Sequence, residues 1–170
     1  MTATRIPDIF PPQPEYYAFF TDFTTTFAPA LSDLENYVLT EGPFDAVIGF
    51  CQGACLAASL LIHHSGRGRS DPIFKCAIFI CGIEPWNLQE ACKYDAAVDE
   101  ELIRIPTAII VGSKDRDYLK ASLSLSRLCH AQSRELFDHG RGHTIPRTSD
   151  LTVGMAHAIK VTIEKALVSQ

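Results

Sequence analysis

Three short segments of the sequence carry residue types from which a nucleophilic reaction could be built. Gly49-Phe50-Cys51-Gln52-Gly53 sets a cysteine between glycines two positions before and two positions after it. Small residues at those offsets let a chain passing from strand to helix turn so sharply that the central side chain projects clear of the backbone. A thiol in that place also lies at a helix N-terminus, where free backbone N–H groups and the helix dipole favour a thiolate and, after attack on a carbonyl, an oxyanion. The first of those N–H groups belongs to Gln52. The plainer reading of Cys51, a small residue buried in a strand-to-helix turn, does not by itself explain glycine at both Gly49 and Gly53.

A nucleophile of this kind needs a base and a group that orients the base, following it in the order nucleophile, acid, histidine. Val111-Gly112-Ser113-Lys114-Asp115 supplies an acid, and Gly142-His143-Thr144-Ile145-Pro146 supplies a histidine. Asp117 competes with Asp115, and His139 competes with His143. The Gly-rich approach Gly140-Arg141-Gly142 favours His143, because a loop must reach back to Cys51. Either histidine taken alone reads as a solvated loop residue; the register of the three members gives it a chemical meaning. That chemistry is nucleophilic attack by a thiol whose proton a positioned imidazole removes.

The elements that must position these groups are legible from periodicity. Phe27, Leu31, Leu34, Val38 and Leu39 recur at helical spacing, and Gly42-Pro43 ends the helix. Phe44 to Phe50 is a short apolar run with little alternation, the pattern of a strand buried on both faces of a parallel sheet. Gln52 to His64 follows as an Ala- and Leu-rich helix. Phe74 to Cys81, Thr107 to Val111 and Arg134 to Phe137 are predicted as further strands. A polar excursion covers Glu84 to Arg104, and helices are predicted at about Leu119 to His130 and Asp150 to Leu167. Alternating strands and helices imply crossover connections and a parallel sheet with its strands adjacent in chain order. Cys51 falls after the first strand, Asp115 after the third and His143 after the fourth, the ends at which parallel sheets gather reactive groups. The opening from Ile6 to Glu15 holds Pro7, Pro11, Pro12 and Pro14, with Pro29 beyond, and is expected to be irregular.

Composition bounds what remains. The chain has 170 residues, 46% of them hydrophobic, and a formal net charge of −5, which is the profile of one globular domain able to bury its own core. No basic run exceeds the Arg67, Arg69 pair, so nothing suits a phosphate backbone and nucleic-acid binding is not expected. No window reaches the length of a membrane span, and Met1 to Asp8 is not a signal peptide. A cytoplasmic protein with six reduced cysteines is expected, several of them acting as small hydrophobes in apolar runs. No metal site is expected: Cys51 and Cys55 lie more than two helical turns from His63 and His64, too far to share an ion. Pro85 and Trp86 read as packing, or as part of a pocket.

Three blocks, GPFDAVIGFCQGACLAASLL (Gly42 to Leu61), IPTAIIVGSKD (Ile105 to Asp115) and HGRGHTIPR (His139 to Arg147), resemble the α/β-hydrolase superfamily and, more narrowly, the fungal serine hydrolase (FSH) family. The resemblance runs from about Tyr16 to the end. It implies one α/β-hydrolase-type domain over 1–170, a parallel sheet flanked by helices, with Cys51 as nucleophile, Asp115 as acid, His143 as base and no cofactor. By the same likeness the substrate is a small acyl ester or thioester, free or on an acyl carrier protein, and the setting is fungal secondary metabolism, where relatives release polyketide chains. Hydrolysis and lactone formation are both compatible with it. Two other readings stay open: a lactone hydrolase similar to dienelactone hydrolase, and a non-catalytic remnant of the fold acting as a binding module. The sequence departs from the family in having Cys51 where serine is usual. It also departs in showing no strand with a His-Gly turn before Pro7, so the usual first strands and half of the oxyanion hole are expected to be missing.

Overall fold

The computed structural model describes residues 18–67, 71–99 and 101–168. The proline-rich opening and the segment before Pro7 lie outside the described residues. Helix α1 (Phe27–Glu41) buries Phe27, Leu31 and Val38 along one stripe and ends where the Gly42 N–H returns to the Val38 carbonyl at 3.1 Å. Leu39, counted in that stripe from the sequence, is exposed instead. Strand β1 (Ala46–Phe50) leads through Cys51 into α2 (Gln52–Gly66), and then come β2 (Cys76–Ile80), the two-residue strands β3 (Trp86–Asn87) and β4 (Cys92–Lys93), and β5 (Thr107–Val111). Helix α3 (Leu119–Arg127), strand β6 (Arg134–Asp138) and helix α4 (Ser149–Val168) complete the described chain.

The main sheet has the order β1-β2-β5-β6, and every pairing is parallel, as the alternation of strands and helices predicts. All five residues of β2 and all five of β5 are buried, which is why both read as uninterrupted apolar runs. One face of the sheet packs against α2 and α3, with α1 laid over α2 and a core that includes Leu60, Phe79, Ile109 and Leu125. The other face is covered by α4, over Ile78, Ile80, Cys81, Ala108 and Ile110.

Three expectations are corrected. Strand β1 is not buried on both faces: it is the edge of the sheet among the described residues, α4 packs over β6, β5 and β2, and Ile48 is left 66% exposed. The polar excursion contains an antiparallel ribbon, β3 with β4, which is held where the Trp86 N–H donates to Ser59 Oγ of α2 at 2.8 Å. The helix expected to reach His130 stops at Arg127, because the chain turns there to bridge Cys129 with Ile103 in parallel fashion. Trp86 is packing, stacked on Phe23 at 4.5 Å between ring centres, and Pro85 is fully buried.

Candidate active site

Cys51 sits between the last residue of β1 and the first of α2 with φ 51 and ψ −114. An L-residue rarely holds a positive φ, and this one is enforced from both sides. The Cys51 N–H continues the sheet by donating to the Ile80 carbonyl at 2.9 Å, while its own carbonyl already accepts from Ala54 and Cys55 of the helix. Gly49 permits the turn, since a Cβ there would lie 2.5 Å from the Cα of Ala54. Gly53 is different: a Cβ would meet nothing closer than the Phe19 ring at 3.5 Å, so packing does not demand glycine at that position. The thiol is partly exposed and stands before the Gln52 N–H. Burial raises its pKa above the ordinary thiol value; the Gln52 N–H opposes the rise and the charge of Asp115 adds to it.

Gln52 has a role that the sequence did not reveal. Its side-chain amide accepts from the Phe19 N–H at 3.1 Å and donates to the Phe20 carbonyl at 2.7 Å. The segment before α1 is thereby tied to the elbow, and Phe20 joins Phe23 and Phe27 in an aromatic cluster.

Asp115 and His143 meet as their order in the sequence suggests. Asp115 is 4% exposed; its Oδ1 accepts from the Tyr118 N–H at 3.1 Å, and its Oδ2 accepts from His143 Nδ1 at 2.7 Å. That bond places the proton of a neutral imidazole on Nδ1 and leaves Nε2 as the free base. Nε2 is buried and has no hydrogen-bond partner among the described residues. The imidazole is clamped between the rings of Phe50 and Tyr118, at 5.0 and 4.7 Å. Because Phe50 directly precedes Cys51, the imidazole lies against the elbow through the Phe50 ring, and no hydrogen bond joins Nε2 to the Cys51 sulfur.

The rivals occupy other places. Asp117 is exposed. His139 is 3% exposed, and its Nδ1 accepts the Arg141 N–H at 3.2 Å. Its proton therefore lies on Nε2, 3.7 Å from Cys81 Sγ, and the Cys81 thiol faces the Thr144 carbonyl at 3.7 Å. These contacts fasten the His143 loop to the end of β2. Gly112 completes the fastening, since a Cβ there would collide with the carbonyls of Arg141 and Gly142 and with the His139 ring. Sequence reasoning missed Cys81, which reads as one more small apolar residue in FKCAIFIC. One ligand atom from each of Cys81, Asp115 and His143 lies within 4.8 Å of the others. A cation could take Asp115 and His143 together only by breaking their 2.7 Å hydrogen bond. No helix of the described chain is long and apolar enough to cross a membrane.

Solved structures share this arrangement of elements. A carboxylesterase from Mesorhizobium loti superposes with a TM-score of 0.61 at 17% identity, covering 86% of this chain and 70% of that one. A metagenomic α/β hydrolase from lagoon sediments of Mar Chica, Morocco, gives 0.53 at 14% identity, over 74% of this chain and 65% of that one. These likenesses show the α/β-hydrolase fold. In sequence, the chain is 40% identical to esterase FPY3 of Fusarium mangiferae over 83% of its own length and 66% of the relative's. It is 34% identical to hydrolase phiM of Fungal sp. (strain ATCC 74256), over 68% of its length and 57% of the relative's. Esterase FUS5 of Gibberella moniliformis is 32% identical over 78% of this chain and 53% of the relative. The chain thus spans between about half and two-thirds of the length of these relatives. The family profile described as "Serine hydrolase (FSH1)" matches residues 8–155, most of the sequence, and the chain belongs to that family, with a cysteine at its elbow.

Proposed function

We propose that this chain cleaves acyl esters or thioesters by covalent catalysis, with Cys51 as nucleophile, His143 as general base and Asp115 as the residue that orients the imidazole. The observation that carries this reading is the His143 ring, held through Nδ1 by buried Asp115 at 2.7 Å with Nε2 buried and unpartnered among the described residues. Nε2 takes the Cys51 proton as the sulfur attacks the acyl carbon, and the carbonyl oxygen gathers charge in front of the Gln52 N–H. The leaving alcohol or thiol departs with the proton from the imidazolium. A thioester on Cys51 remains, and water, deprotonated by the same nitrogen, releases the acid. Because burial keeps the resting thiol above its ordinary pKa, proton removal by His143 belongs to the attack itself and is not complete beforehand.

A thioester substrate suits this site chemically. Exchange of one thioester for another is nearly balanced, so a carrier-bound acyl chain loads Cys51 without a steep intermediate. A hydroxyl of the same chain can replace water in the second step and close a lactone. Names of relatives such as esterase FPY3 and esterase FUS5 support the ester-cleaving part of the reading.

The test is acylation by p-nitrophenyl butyrate followed by mass analysis of peptides. The wild type is expected to carry the butyryl group on the Cys51 peptide. Cys51→Ala abolishes it, and His143→Gln slows acylation by about 10² to 10⁴. Burst acylation of the Cys51→Ala protein at another residue would refute the assignment.

A further inference from the structure

The register of the sheet sets two cysteines side by side at the ends of neighbouring strands. Pairing of β1 with β2 runs from Ala46 opposite Cys76 to Phe50 opposite Ile80, so the next residue on each strand is a cysteine, Cys51 and Cys81. Each continues the sheet in the same way, Cys51 N–H to the Ile80 carbonyl at 2.9 Å and Cys81 N–H to the Ile110 carbonyl at 2.8 Å. Each then leaves the pleat in the same sense, with φ 51 and φ 45. Neighbouring strands lie about 4.8 Å apart, inside the Cα separation of about 4.4 to 6.8 Å that a disulfide spans. The remaining cysteines are elsewhere. Cys55 turns its thiol to the Glu84 carbonyl at 3.2 Å, and Cys129 turns its own to the Leu125 carbonyl. Cys76 begins β2 at its opposite end, and Cys92 is exposed on the ribbon.

We propose that Cys51 and Cys81 form a reversible disulfide when the protein meets a peroxide, and that this bond closes the site and protects its nucleophile. Cys51 is partly exposed and is attacked first, whereas Cys81 is fully buried and acts as the resolving thiol. In the first step His143 takes the Cys51 proton as the sulfur forms a bond to one peroxide oxygen, the O–O bond breaks, and the departing hydroxide leaves as water with that proton. Cys51 is then a sulfenic acid. In the second step the Cys81 sulfur gives its proton to the His143 imidazole, which lies within 4.8 Å, and attacks the Cys51 sulfur. The S–S bond forms, the S–O bond breaks, and the departing hydroxide takes the proton back as water. The two thiols lose two electrons and two protons, and hydrogen peroxide is reduced to two waters.

The pair supplies a purpose for a thiol where the interior could hold any small side chain. A sulfenic acid left alone is open to irreversible further oxidation, and a neighbouring resolving thiol prevents that. Burial, with the charge of Asp115 beside it, keeps Cys81 protonated at rest, so the pair does not compete with acylation until Cys51 is oxidised.

The experiment is thiol mapping of the whole chain, which reads the pair whether or not the protein turns over an ester. The reduced protein is treated with a small excess of hydrogen peroxide, denatured in iodoacetamide and digested without reductant. The expected product is a linked Cys51–Cys81 peptide pair, which dithiothreitol converts back to two alkylatable thiols. In Cys81→Ser, Cys51 is expected to end as sulfinic acid that dithiothreitol does not restore. Recovery of Cys51 as sulfenic or sulfinic acid from the wild type with Cys81 alkylated would overturn the proposal. So would a Cys51–Cys55 bond or a link between two chains.

Discussion

Cys51 and Gly112 constrain the site in different ways, one by a forced turn and the other by a close approach of loop to backbone. At Gly112 the volume of a missing Cβ is filled by the Arg141 and Gly142 carbonyls and the His139 ring. Gly112→Ala is expected to destabilise the fold by about 1–3 kcal/mol through overpacking, and to lower acylation by more than that loss of folded protein accounts for, since the displaced loop carries His143. Parallel measurement of thermal unfolding and of acylation rate separates the two effects. His139 contributes a pH dependence whose sign follows from its surroundings. Burial depresses its pKa below 6.5 and Arg141 adds to this, outweighing the opposing charges of Asp138 and Asp115. Above pH 6.5 the ring is neutral both folded and unfolded. As pH falls below 6.5, the unfolded chain binds a proton that the folded one resists, and stability is lost until the folded pKa is passed. The fall in melting temperature between pH 7 and pH 5 should therefore be smaller in His139→Gln than in the wild type.

Among the elements, the elbow helix is braced as well as packed. Gln52 Oε1 and Nε2 hold the backbone of Phe19 and Phe20, so Gln52→Ala leaves one donor and one acceptor without those partners. A loss of about 1–2 kcal/mol is expected, together with faster hydrogen exchange at the Phe19 amide, while Cys51 acylation persists because the Gln52 N–H is unaltered. Unchanged exchange at Phe19 would contradict that role. This brace is invisible in the sequence, because Gln52 reads equally well as an unremarkable first residue of a helix. Strands β2 and β5 were legible because burial on both faces leaves long apolar runs such as TAIIV. The ribbon was not, because two-residue strands have no period, and its position depends on Ser59 of another element. Asp115 and His143 were legible from their order after strand ends. Cys81 was hidden, because a thiol in an apolar run looks like any small core residue.

At the scale of the molecule, β1 presents one edge without a neighbouring strand among the described residues, and Ile48 projects from it largely uncovered. Hydropathy does not distinguish this strand from a central one, which is why AVIGF reads as fully buried. Ile48→Lys is expected to change stability by no more than about 0.5 kcal/mol and to reduce self-association at high concentration, since a charge on an exposed edge opposes pairing with other chains. Light scattering of the two proteins across a concentration series checks this. The sheet order has a further bearing, on time. Because the spatial order of β1, β2, β5 and β6 is also their order along the chain, the sheet can grow strand by strand from the ribosome. Cys51 is made first, and His143 follows 92 residues later (143 − 51). At about 5–20 residues per second, that interval is roughly 5 to 18 s. Throughout it Cys51 exists without His143, so a nascent chain cannot assemble the proposed site until His143 has been made.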